Sequence, residues 1–139
     1  MFNLSVRPEA AKDLEAIKAK SRDDHAMLLF LLREVRDDRA TLEHLADDGV
    51  WESPSYDIDV TPFAYMQKRH FDMWRIKAYE FGKKVPVPYR LIYAVDNVRQ
   101  DYHLFAIMKR EDGKDYENDP ALVERIRRIY LDLGLPFKG

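Results

Sequence analysis

Three strand-like runs stand one after another near the middle of the chain: "DMWRIKAYEF", "YRLIYAV" and "YHLFAIMKR", spanning residues 72–81, 89–95 and 102–110. All are rich in aromatic and β-branched residues, the side chains that fit a pleated surface. The joins between them, "GKKVPVP" and "DNVRQD", are short. A short join brings the next strand back antiparallel, whereas a parallel neighbour needs a long crossover. This block therefore predicts an antiparallel meander, and the rest of the chain must pack on it.

Helical patterns flank the meander. "FNLSVRP" alternates Phe2, Leu4 and Val6 with polar neighbours and reads as a short first strand. Pro8 suits the first turn of a helix, and Ala10, Leu14 and Ile17 recur at helical spacing. A second helix is expected from about Asp23 to Leu45, with Leu28, Leu31, Leu32 and Val35 on one stripe and Leu42 and Leu45 extending it. Near the C-terminus Asp119 suits an N-cap and Pro120 a first helical position. Leu122, Ile126, Ile129 and Leu133 form that helix's apolar stripe, which Gly134 and Pro136 end. The fold expected is α+β, with an antiparallel β-meander, two N-terminal helices packed on one face and a C-terminal helix. The 139 residues fit a single domain.

Residues 46–70 interrupt this plan. Gly49, Pro54 and Pro62 break any long element. "YDIDV" reads as a short strand and "PFAYMQKR" as a helical turn. The segment holds Trp51, Tyr56, Phe63, Tyr65 and Met66, so it is expected to be a structured excursion whose side chains bury on the domain, not a linker.

Several function classes drop out on composition. The chain has no Cys, which rules out disulfide frameworks and thiolate chemistry. The start lacks an apolar leader core, and the longest apolar run, "MLLFLL", is far short of the ~20 residues that span a bilayer. A cytoplasmic protein with no membrane association is expected. No metal-ligand spacing is visible, and no cofactor is expected.

Charge is unevenly placed although the net value is −2. Residues 1–63 carry 8 Lys/Arg against 14 Asp/Glu, whereas residues 64–110 carry 10 against 4. The positive segment is the meander, and a patch of that kind attracts polyanions. Within it, Arg75, Lys77 and Tyr79 share one strand face because their spacing is i, i+2. Trp74 and Ile76 point to the opposite, helix-covered face. Arg90 starts the next strand, and Lys109 and Arg110 end the last. A meander lets Arg75, Lys77, Arg90 and Arg110 gather on one sheet face, although solvated sheet faces also carry such residues as edge protection.

The pieces "WRIKAY", "YRLIYAVD" and "FAIMKREDGKDYE" resemble the RelE/ParE superfamily of bacterial toxins from toxin–antitoxin pairs. "YRLIYAVD" is the most specific of them, and the strand-helix-helix-meander order agrees. The RelE branch is a set of ribosome-dependent endoribonucleases acting on mRNA; the ParE branch inhibits DNA gyrase without nuclease activity. The catalytic set of the RelE branch is matched by Arg75 and Lys77, by Arg90, by Arg110 and by Tyr116. The resemblance thus implies an mRNA interferase that inhibits translation through 2′-hydroxyl attack on the adjacent phosphodiester, with a cognate antitoxin, the ribosome and mRNA as partners. Lys77 would be the base, Arg90 would hold the phosphate, Arg110 would stand by the leaving oxygen and Tyr116 would stack on or orient a nucleotide. Arg75, Lys109 and Tyr79 would bind the substrate. Two alternatives stay open: a ParE-like gyrase inhibitor, and a repurposed binding member of the family. Histidine is the commoner proton carrier in such chemistry, but His25, His44, His70 and His103 show no pairing by spacing. His70, bordering the basic strand, is the alternative participant.

Overall fold

A computed structural model describes residues 2–110 and 119–138. The element order is β1 (Asn3–Val6), α1 (Pro8–Lys20), α2 (Arg22–Asp37), α3 (Arg39–Leu42), β2 (Gly49–Glu52), β3 (Tyr56–Pro62), α4 (Ala64–Gln67), β4 (Met73–Glu80), β5 (Pro86–Asp96), β6 (Asp101–Lys109) and α5 (Pro120–Asp132). The protein is α+β, built on one six-stranded sheet in the order β1-β6-β5-β4-β3-β2.

The meander β4-β5-β6 is antiparallel, as its short joins require. The sheet as a whole is mixed, which corrects the all-antiparallel expectation. β1 runs parallel to β6, with Leu4 opposite Tyr102 and Val6 opposite Leu104. The reason lies in the connection: α1 and α2 separate β1 from the rest of the sheet, and such a crossover permits a parallel neighbour where a hairpin would not.

Residues 46–70 belong to the sheet. β3 pairs antiparallel with β4, and β2 with β3. Tyr56, Ile58 and Val60 of β3 are buried, and Phe63 and Met66 close the segment around α4.

The helix expected from Asp23 to Leu45 is instead two helices. α2 stops at Asp37 because Asp38 is extended (φ −85°, ψ 98°). The Thr41 hydroxyl donates to the Asp38 carboxylate at 2.5 Å. Such local side-chain bonds compete with helix continuation. Leu28, Leu31, Leu32, Val35, Leu42 and Leu45 are nevertheless all buried.

Both sheet faces are covered, unequally. On the first face α1 and α2 bury Leu14, Leu28, Leu31 and Val35 against Ile58, Trp74, Ile76, Leu91 and Tyr93. On the second, Leu122, Ile126, Ile129 and Tyr130 of α5 pack with Phe63 and Met66 over Met73, Ile92, Ala94, Phe105 and Ala106. Asp119 caps α5 through the amides of Ala121 and Leu122. β5 is covered on both sides, which explains its unbroken apolar run. Asp13 of α1 accepts the Ile107 amide at 2.9 Å and is paired with Arg125 of α5 at 2.9 Å, so one carboxylate clasps α1, β6 and α5 together.

Candidate functional site

The apolar cover on the second face ends along a line across the strands. On β4, Met73 is fully buried and Arg75, two residues on, is half-buried. On β5, Ile92 is the last residue under α5 before Arg90. On β6, Ala106 is followed on the same face by Met108, then by Arg110 after the strand. Two rows of side chains run across the strands here, the first reaching under the α5 cluster and the second lying beyond it. One runs Thr61–Arg75–Ile92–Ala106 and the other Asp59–Lys77–Arg90–Met108. Directly paired residues on adjacent strands have Cβ atoms ~5 Å apart, so Lys77 stands between Asp59 and Arg90.

Lys77 is half-buried, and its ammonium lies 5.4 Å from the centroid of the Tyr79 ring. That is cation–π range and holds the chain of Lys77 along its own strand. Tyr79 faces Asp57 on β3 and Pro86 on β5. Among the described residues no carboxylate reaches ion-pairing distance of Lys77.

Arg90 differs from the exposed phosphate clamp implied by the family resemblance. Only 2 % of it is exposed. The β4–β5 register shifts between Lys77 and Tyr79, where the strand pairing is irregular. Its Nη1 donates to the carbonyls of Val87 and Tyr89 at 3.0 and 3.1 Å. Arg90 thus ties up backbone carbonyls of its own strand and stands as a buried cation next to Lys77 in the row.

Arg110 is exposed, and its backbone N–H donates to the Pro88 carbonyl at 2.8 Å. This fixes it beside the entry to β5, one turn of the pleat beyond Met108. Lys109 is not part of the group. It pairs with Tyr89, whose side chain belongs to the first face and donates to Asp24 of α2 at 2.8 Å. Burial first, and then this bond, push the Tyr89 hydroxyl up to about 12. Tyr116 lies outside the described residues.

None of the four histidines lies on these rows. His103 pairs with Ala94 at the far end of β5, and burial lowers its pKa. His44 stacks on Trp51 with ring centroids 3.8 Å apart. His70, in a left-handed backbone conformation, hydrogen-bonds the Lys138 carbonyl at 3.0 Å through Nδ1. His25 sits on α2.

Three residues of the site come from β3: Asp57, Asp59 and Thr61. The Thr61 hydroxyl, opposite Arg75, is buried without a hydrogen-bond partner among the described residues. The signal for them was present in "YDIDV", whose alternation places both aspartates on one face. What that pattern lacks is the identity of the neighbouring strand. Among the described residues no group of three or more acidic or histidine side chains is gathered as for a metal ion, and no helix is long and apolar enough to cross a membrane.

The arrangement offers one half-buried lysine, a buried arginine next to it, and two further arginines at its margins. No protein-family model, curated protein or solved structure matches the chain.

Proposed function

We infer that the chain is a RelE-like toxin of a toxin–antitoxin pair, an endoribonuclease that cuts mRNA on the ribosome. The observation that carries the reading is the direct cross-strand pairing of half-buried Lys77 with buried Arg90, beyond the apolar cluster that α5 covers. Arg75 and Arg110 flank that pair. An RNA strand supplies its own 2′-hydroxyl nucleophile, so the protein must move protons and stabilise charge on the phosphorane. Lys77 is the proton-handling group, Arg90 gives a fixed, buried positive charge beside it, and Arg75 and Arg110 contact phosphate oxygens. The protein acts in the cytoplasm and is restrained by a cognate antitoxin.

The test is expression of the chain alone in bacteria, with mapping of transcript 5′ ends. Wild type is expected to arrest growth and to produce new 5′ ends within coding regions. Lys77→Ala and Arg110→Ala should each lower cleavage by about 10²–10⁴-fold, the usual worth of such groups, while the purified variants stay folded. Arrest that persists in both variants would remove the nuclease reading. The burial of Arg90 favours a second reading, a ParE-like inhibitor of DNA gyrase that docks by its surface. Arrest with a DNA-damage response and intact transcripts would select it.

A further inference from the structure

The second face carries a group that the cation set does not account for. Asp59 sits on β3 opposite Lys77, and Lys77 sits opposite Arg90, so the three form one cross-strand row. Asp59 is half-buried, and among the described residues it makes no ion pair and no side-chain hydrogen bond. A carboxylate kept beside a lysine yet not paired with it is poorly explained as a stabilising contact. It is also poorly explained as edge protection, because β2 lies outside β3.

Building on the nuclease reading, we propose that Asp59 is the proton acceptor for the attacking 2′-hydroxyl and that Lys77 is the proton donor to the leaving 5′-oxygen. The division rests on placement: a carboxylate serves as a proton acceptor and an ammonium as a donor, and Asp59 and Lys77 are direct cross-strand neighbours. Reach agrees with the division. The Lys77 chain carries its ammonium along β4 toward the Tyr79 ring, while Asp59 stands on β3, so donor and acceptor occupy different points of the face. A phosphodiester lying across the row meets acceptor and donor on its two sides.

The step balances. The 2′-O–H bond breaks and its proton goes to the Asp59 carboxylate. The 2′-oxygen forms a bond to phosphorus as the P–O5′ bond breaks. The departing 5′-oxygen takes a proton from Lys77. The products are a 2′,3′-cyclic phosphate and a 5′-hydroxyl, and water returns the proton from Asp59 to Lys77.

The experiment uses the purified full chain with programmed ribosomes and labelled mRNA under single-turnover conditions. Asp59→Asn is expected to slow cleavage at least 100-fold without weakening mRNA association, while Asp59→Glu keeps part of the rate. Glu15→Gln, which removes the same charge from the exposed side of α1 on the other face of the sheet, should stay within about threefold of wild type. The decisive arm replaces the scissile 5′-oxygen by sulfur, since a thiolate leaves without a proton. This substrate should restore Lys77→Ala to within tenfold of wild type and leave Asp59→Asn slow. Cleavage by Asp59→Asn within threefold of wild type, or its rescue by the sulfur substrate, overturns the assignment of Asp59 while the nuclease reading stands. Failure of wild type to cut either substrate overturns both.

Discussion

Glu34 projects from α2 toward the turn that joins β2 to β3. Its Oε2 accepts the Ser53 hydroxyl at 2.5 Å and the Ser55 amide at 2.9 Å. Burial by itself raises the carboxyl pKa, but the hydrogen bonds from Ser53 and Ser55 outweigh it, so the group titrates below its ordinary value. A depressed carboxylate stabilises the fold above its unfolded-state pKa, and that contribution is lost as pH falls through the folded-state value. Glu34→Gln should therefore cost about 1 kcal/mol at neutral pH, the scale of a partly exposed charged hydrogen bond. Its stability should also fall less steeply than that of wild type on acidification below the usual carboxylate range. Urea unfolding at neutral and acidic pH measures both effects. The same scale shows what residue pattern conceals. Arg90 occupies an alternating position of β5 that reads as solvent-facing, yet the register irregularity folds its guanidinium onto Val87 and Tyr89. Alternation carries no information on such irregularities.

At the scale of elements, the β2–β3 hairpin and α4 are an integral part of the sheet. They contribute Tyr56, Ile58, Val60, Phe63 and Met66, each no more than 4 % exposed. Burying one such side chain contributes ~1.5–3 kcal/mol, so five of them together rival the entire ~5–15 kcal/mol net stability of a domain. Replacing residues 46–70 with a short Gly/Ser link also strips β4 of its outer neighbour. The expected result is a chain without a cooperative unfolding transition by far-UV circular dichroism. A well-folded deletion variant would show that the hairpin is an appendage. The helices and the central meander were legible in the sequence because a 3.6-residue or 2-residue period reports burial directly. Phe105 departs from that period: the β5–β6 register shifts between Ile92 and Tyr93, and Phe105 and Ala106 both face α5. The position of β1 and the outer place of β2 were not legible, since strand order is set by crossovers and pairings between distant segments. For the same reason Lys109 reads as a neighbour of Arg110 in the chain although β6 turns it to the other face. Asp59 shows its face but not its partner.

The whole molecule is a sheet with a helical layer on each side, so its two apolar clusters share one backbone framework and touch through β4, β5 and β6. Leu28 lies at the centre of the α1–α2 side and Ile126 at the centre of the α5 side, both fully buried. Emptying either site should cost ~2–5 kcal/mol, as large-to-small core changes do. Because the sheet separates them, the two losses should add to within ~0.5 kcal/mol in a Leu28→Ala/Ile126→Ala variant. Tryptophan fluorescence gives the discriminating readout. Trp74 belongs to the α1–α2 core and Trp51 packs against it, so both report from the side that Ile126 does not touch. In a single cooperative unit, a size at which two-state unfolding is usual, Ile126→Ala shifts the tryptophan transition in urea by as much as the far-UV circular dichroism transition. If α5 and its cluster unfolded on their own, circular dichroism would move and tryptophan would stay. The clasp of Asp13 with Arg125 and the Ile107 amide favours the coincident result, since it bonds α5 to α1 and to β6 at one point. It also binds the layer beside Arg110 to the rest of the sheet, so that a candidate site drawn from β3, β4, β5 and the end of β6 holds its geometry only while both cores are intact.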